Sequence, residues 1–450
     1  MRYKAMIVMV LVALTALAPL FGTGQQEGPS ASTGTTSGAA AGTVSAAKAV
    51  PVELRVLVPQ SPGVPEGVKA VADKYMASNP SVTVTIRSVP FNRFREQLQV
   101  MWASSDVDDI VMVGSPDIVN YAFYGALMPL DDILPPQERS QFIPSAINAV
   151  THQGKVYAYP FREAASAMFY NKQYFALAGI EVPPLEKPWT WPQWLENISK
   201  VRAAVKASTG KDVWGISFLS NPGRGDFWLT PIIRSAGSKD SPTYRAISAD
   251  GMTLSGFADT PEALGAYRFY QSLYTTHKLA PTAEVPDAFG TGQSITTISF
   301  LATANDLKKN FPALQWGLMP LPYFRTPLTH TGDFTYAVSN KSKSGAAAKA
   351  FVRFAGSDEG ILAYIGASGS NMVSRIGFSD RHPEFYAEEH QKFFSRILEK
   401  YGEARPTTPG YVLYNSIMGF NLFLDLAAGA DVEQAVKAKI KEFETQVRNM

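Results

Sequence analysis

Residues 156–175 read VYAYPFREAASAMFYNKQYF. Two runs rich in Tyr and Phe, residue types that favour strands, enclose the charged pair Arg162-Glu163. Charge within a buried strand is costly unless it is paired or used. The pair is therefore a candidate for ligand contact or for an ion pair, with each other or with a neighbour. Other chemistry is harder to find. His152, His277, His330, His382 and His390 are scattered, none in a metal-ligand spacing such as H-E-x-x-H. There is no G-x-S-x-G elbow and no Walker A loop. FGTGQS (289–294) has G-x-G without a third glycine and precedes a predicted strand. Asp131-Asp132 in PLDDILPP suits a solvated helix N-terminus better than acid–base work. Arg224-Gly225-Asp226 spells a cell-adhesion tripeptide, a match that arises readily by chance. With no cysteine there is no disulfide, thiolate metal site or Cys nucleophile. A glycosidase needs two carboxylates at a set separation, and no signature argues for that arrangement.

The elements that must position these residues are legible as alternating patterns. Val52, Leu54, Val56 and Val58 alternate in VELRVLVP, as do Val82, Val84 and Ile86 in SVTVTIRSVPF, both strand signatures. Between them Val64, Val68, Val71 and Tyr75 recur at helical spacing until Asn79-Pro80 stops the helix. FREQLQVMWASS predicts a second helix and DDIVMVG a third strand. This alternation implies βαβ units and a parallel sheet. It resumes after Tyr170. LENISKVRAAVKAS, PEALGAYRFYQSLYTTH, KSGAAAKAFVRFAG and SDEGILAYIGA predict helices, with VWGISFL and SITTISF as strands. Leu264, Tyr267 and Tyr274 are expected on one helix face. The last helix opens with Asp431 and Gln434 as in a capping box, and Val432, Val436, Ile440, Phe443 and Val447 form one apolar stripe. The pattern is two α/β lobes.

The start of the chain reads differently. Arg2 and Lys4 precede the apolar run Ala5–Leu20, shorter than the roughly 20 residues of a membrane span. Residues 1–24 are expected to be a secretory signal peptide, with retention as an anchor the alternative. Residues 25–49 are small, polar and nearly free of aromatics, and are expected to be a flexible linker. Arg2, Lys4 and Lys48 against Glu27 account for the whole net charge of +2, so residues 50–450 are formally neutral. No basic face for nucleic acid is implied. The expected location is the periplasm or the exterior of the cell envelope, with no lipobox Cys.

Six segments in order give a resemblance. They are DDIVMVGSPDIVNYAFYGALMPLDD (108–132), GKVYAYPFREAASAMFYNKQYFALAGI (154–180), PPLEKPWTWPQWLENISKV (183–201), DAFGTGQSITTIS (287–299), WGLMPLP (316–322) with THTGDFTYAVSNKSKSGAAAKAFVRFAGSDEG (329–360), and LDLAAGADVEQAVKAKIKEF (424–443). Over residues 50–450 the chain resembles a family 1 extracellular solute-binding protein, the maltose-binding-protein-like sugar receptors of ABC importers. It departs from the pattern at QSITTISFLATAN, where the ligand-stacking Trp of relatives is absent and Phe300 is the aromatic candidate, and at ASGSNMVSR (367–375), which lacks their Pro.

The resemblance implies an α/β, two-lobed periplasmic-binding-protein fold (type II) with hinge strands and an interlobe ligand cleft. Lobe 1 would comprise 50–162 plus about 333–385, and lobe 2 163–332 plus about 386–450. Crossings would fall near Pro160–Glu163, Thr331–Asp333 and 380–390, and closure would be a hinge motion. Ligand contacts would come from strand ends in the first lobe: Gln60, Ser61, Asn92, Ser115 and Asp117, the last equally a helix cap. Arg162, Glu163, Gly332 and Asp333 would contribute from the hinge, and Asp226, Trp228, Phe300 and Tyr411 or Tyr414 from the second lobe. Trp189, Trp191 and Trp194 read as packing around a helix start, and Trp316 as core. The implied function is a non-enzymatic, monomeric receptor that delivers a mono- or oligosaccharide to an ABC permease, without cofactor or metal. A chemosensory domain of the same fold, or a secreted carbohydrate-active enzyme, is the alternative.

Overall fold

Val56, in the alternating run that opens the fold, pairs with Ile86 on one side and Ile110 on the other. The computed structural model that shows this describes residues 50–449 apart from 105, 219–224 and 371, and only the backbone of Asn92. The expected signal peptide and linker lie outside the described residues, as does Arg224. Strands β1 (Val52–Gln60), β2 (Val82–Pro90) and β3 (Ile110–Gly114) run parallel, with β1 in the middle. A second sheet holds β4 (Ala167–Asn171), β5 (Trp214–Ser217), β6 (Ser294–Ser299) and β7 (Trp316–Met319) in the order β5-β6-β4-β7. Outside both sheets, β8 (Thr329–Thr331) pairs in parallel with the later segment Gly402–Ala404. The chain then returns to the first sheet as β9 (Phe334–Val338), which lies beside β3 with Ala337 opposite Val111.

The expectation of parallel sheets needs correction. β9 is antiparallel to β3, and β4 is antiparallel to both β6 and β7. Neither strand is reached through a crossover helix from its sheet neighbour: β4 follows the 160–166 segment directly and β9 follows 331–333. Only the crossover connection forces parallel pairing, so both sheets are mixed.

Each sheet carries a hydrophobic core. One gathers Leu54, Val68, Val71, Ile110, Tyr336, Phe351 and Tyr364; the other gathers Met168, Trp194, Ile198, Tyr267, Ile295 and Phe443. Each large apolar side chain buried in this way contributes roughly 1.5–3 kcal/mol. Helix α1 (Val64–Ser78) lies against α4 (Asp358–Ser368) through Gly67, where a Cβ would stand 2.5 Å from the Tyr364 ring. Between them in sequence, α2 (Trp191–Thr209) begins at a capping box of Thr190 and Gln193 and buries Trp191 and Trp194, the packing role expected of them. Helix α3 (Pro261–Thr275) buries Ala263, Ala266, Tyr267, Tyr270 and Leu273, whereas Leu264 and Tyr274 only border the core. The last helix, α5 (Val432–Val447), is capped by Asp431 and buries the stripe Val432, Val436, Ile440, Phe443 and Val447. Asp131 and Asp132 precede the short helix Pro136–Arg139 rather than capping it, and pair with Arg139 and Lys349. No helix among the described residues is long and apolar enough to cross a membrane.

Candidate functional site

The chain passes between the two main cores at three places: from the first to the second between Phe161 and Met168, back between Leu321 and Tyr336, and to the second again between Tyr386 and Tyr411. The first two bring charge together. Arg162 does not pair with Glu163. Its Nη2 lies 2.9 Å from Asp333 Oδ2, Nη1 donates to the Tyr364 hydroxyl at 2.6 Å, and Nη2 also reaches Ser370 Oγ at 3.3 Å. The segments are tied by bridges of Arg162 to Val373 and Ala165 to Thr331, and by Ser115 N donating to Asp333 O at 2.8 Å.

Glu163 is 2% exposed, and its Oε1 accepts from Ala164 N at 3.2 Å. Burial, reinforced by the Asp333 charge, pushes its pKa up to about 8, against the opposing pull of the Ala164 and Gly332 N–H groups and of Arg405. At neutral pH the carboxyl is therefore largely protonated.

On the other side, Asp226 is fully buried beneath Tyr411, whose hydroxyl donates to Asp226 Oδ2. Arg405 Nη1 stands 3.6 Å from the same oxygen and 3.3 Å from Tyr411 Oη, while Nε donates to Thr331 O at 3.2 Å. The guanidinium also lies 4.9 Å from the Phe227 ring centre, within cation–π range. The third arginine, Arg95, grips Asp117 with two bonds of 2.9 Å. Gly332, at φ +137°, lets these groups approach, since a Cβ there would meet Arg405 Nη2 at 2.5 Å and Ser115 Oγ at 3.0 Å. The buried Ser115 Oγ, Thr331 Oγ1 and Asp226 Oδ1 have no hydrogen-bond partner among the described residues. His330 is buried beside this network. Its Nδ1 lies 2.7 Å from Asp226 O and Nε2 2.8 Å from Arg234 Nη1, which makes Nδ1 the donor and Nε2 the acceptor of a neutral ring. Burial and the charges of Arg234 and Arg405 hold its pKa well below the ordinary value.

Of the residues expected at the site, Ser115, Asp117, Arg162, Glu163, Asp226, Gly332, Asp333 and Tyr411 thus stand in one neighbourhood. Gln60 ends β1 and Ser61 follows it; Gln60 is exposed and donates to Ser88 Oγ at 3.4 Å. The side chain of Asn92 lies outside the described residues. Trp228 is 3% exposed and belongs to the second core, and the half-buried Phe300 that stacks on it at 6.0 Å and 11° borders that core. Trp316 is half-buried at the sheet edge rather than in the core. Sequence reasoning missed Arg95, Arg405 and Tyr364. Arg405 had a signal: it is the lone cation before TTPGYVLYN, the segment already singled out for its tyrosines.

A family model described as bacterial extracellular solute-binding protein matches residues 59–361. The chain belongs to that family. The match takes in every expected site residue except Tyr411, which with Arg405 lies beyond it. Among relatives of this solute-binding protein, one named as a binding protein from Brucella abortus (strain 2308) is 24% identical over 258 residues, 56% of this chain and 58% of the relative. The maltotriose-binding protein of Pyrococcus abyssi is 24% identical over 263 residues, 56% of this chain and 50% of the relative. The chain thus spans little more than half the length of these relatives. Among solved structures, the cyclic α-maltosyl-1,6-maltose binding protein from Arthrobacter globiformis aligns with TM-score 0.74 and 20% identity, over 89% of this chain and all of that one. The fold of this solute-binding protein is accordingly the two-lobed α/β fold of that class, and its family is one of binding proteins.

Proposed function

We propose that this protein captures a mono- or oligosaccharide between two lobes and delivers it to the permease of an ABC importer, acting as a monomer outside the cytoplasmic membrane. Lobe 1 is residues 50–162 with about 333–385, and lobe 2 is 163–332 with about 386–450. The single observation that carries this reading is the convergence of Ser115, Asp117, Arg162, Glu163, Asp226, Asp333, Arg405 and Tyr411 where the chain passes from one core to the other. Arg95, Arg162 and Arg405 each face a carboxylate, so the site is balanced and favours an uncharged polar solute over an anion. Buried hydroxyls and a carboxylate oxygen without partners among the described residues suit the many hydroxyls of a sugar. The Pyrococcus relative is named for maltotriose and the Arthrobacter structure for a cyclic maltosyl-maltose, both oligosaccharides. Residues 1–24 would direct export and 25–49 would tether the folded part.

A thermal-shift screen over mono- and oligosaccharides tests the reading, because a ligand that binds only the folded state raises Tm. A concentration-dependent rise with at least one sugar is expected. A flat response to all of them overturns the carbohydrate assignment, and release of reducing ends from oligosaccharides overturns the receptor in favour of an enzyme.

A further inference from the structure

The edge of the second sheet borders a cavity of about 720 Å³, a size typical of small-molecule sites. Three segments wall it. The edge strand β7 supplies Trp316 and Leu318, the stretch after Ile180 supplies Pro183 and Leu185, and the helix Glu389–Tyr401 supplies His390 and Phe393. None of these residues takes part in the network around Arg162. Leu185, Trp316, Leu318 and Phe393 are half-buried on the border of a small third core, where Trp316 lies 5.5 Å from the ring of Phe169. The apolar surface they keep outside that core lines the cavity.

His390 gives the cavity a polar group. It is 8% exposed, its ring lies 5.6 Å from that of Trp316, and its Nε2 is buried without a partner among the described residues. Nδ1 faces Glu388 Oε2 at 3.5 Å. Burial, with the Lys308 charge, holds the imidazole pKa below its ordinary value, so the ring is neutral at pH 7. Its one proton sits on the Glu388 side, which makes Nε2 an acceptor. A buried acceptor calls for a donor.

The rim adds charge. Glu388 pairs with Lys308 and Glu389 with Lys392. Lys172 and Arg396 are exposed at the rim and have no ion pair among the described residues; against these two cations stands one unpaired carboxylate, Glu186. The surplus is a single positive charge, which favours a monovalent anion. We propose that this cavity is a second binding site, apart from the sugar site, for a small aromatic carboxylate that carries a ring O–H or N–H. The ring lies against Trp316 and Phe393, the ring donor meets His390 Nε2, and the carboxylate meets Lys172 and Arg396. The proposal stands or falls independently of the sugar.

The test is isothermal titration of the full chain with 4-hydroxyphenylacetate, indole-3-acetate, phenylacetate and tyramine, with Tm measured on the same samples. The first two are expected to bind. Phenylacetate, which lacks the ring donor, should bind about 3- to 10-fold more weakly, and tyramine, which carries an ammonium in place of the carboxylate, should not bind. The double variant Lys172→Glu, Arg396→Glu changes only exposed side chains and should weaken 4-hydroxyphenylacetate about tenfold or more. His390→Phe keeps a ring against Trp316 but removes the acceptor, and should abolish the preference for 4-hydroxyphenylacetate over phenylacetate. If that variant loses its fold, as a lowered Tm would show, the charge reversal decides alone. No binding of either 4-hydroxyphenylacetate or indole-3-acetate to wild type overturns the site. Binding that the charge reversal leaves unchanged also overturns it, because the acid then sits elsewhere on the protein.

Discussion

The Arg162 guanidinium lies 2.9 Å from the Asp333 carboxylate, with 14% and 15% of the two side chains exposed. The pair joins the two segments on which the chain passes between its cores. Breaking a buried pair from one side leaves an uncompensated charge and costs about 3–5 kcal/mol. Asp333→Ala is expected to destabilise in that range by urea unfolding. The double variant Arg162→Met, Asp333→Leu should recover most of the loss, since no charge is stranded. Equal losses in the single and double variants would show that the pair is not coupled.

Glu163 ties stability to pH. Its pKa is raised from the ordinary 4.5 to about 8 in the folded protein, so the folded state binds the proton more tightly than the unfolded chain. The corresponding stabilisation is complete below about pH 4.5, declines as pH rises and is gone above about pH 8. Wild type should therefore lose a few kcal/mol between pH 5 and 9, at about 1.4 kcal/mol per pKa unit. Glu163→Gln, which keeps a neutral hydrogen-bonding group, should show a flatter profile. Parallel Tm–pH curves for the two proteins would mean that Glu163 does not titrate in this range.

Gly332 adopts φ +137°, and a Cβ there would stand 2.5 Å from Arg405 Nη2. Gly332→Ala combines backbone strain of about 1–3 kcal/mol with displacement of Arg405 from Thr331 O and Asp226. It should lower Tm and weaken sugar binding together. A variant with wild-type Tm would show that the segment relaxes without strain.

The resemblance in sequence implies a ligand contact for Trp228. Its 3% exposure and its stacking on Phe300 change that expectation: Trp228→Ala should cost about 3–5 kcal/mol of stability, as other large-to-small core changes do. Chemical denaturation checks this, and a loss below about 1 kcal/mol would return Trp228 to a peripheral, ligand-facing role.

By itself the sequence determined the opening strands and helix and the apolar face of the last helix, though not the helices Leu301–Asn310 and Glu389–Tyr401. Hydrophobic period, caps and breakers act within about twenty residues, and the α5 stripe and the Thr190–Gln193 box needed nothing more distant. The order of six motifs was enough to indicate the two-lobed fold. Tertiary structure alone decided who meets whom. Arg162 found Asp333 rather than the adjacent Glu163 because a pairing across the fold depends on how the segments cross, not on their spacing in the chain. The mixed sheets, the burial of Trp228 and the placing of Arg405 against Asp226 follow from the same crossings. The raised pKa of Glu163 is the plainest case: the residue type supplies a carboxyl, but only burial beside Asp333 makes it hold its proton.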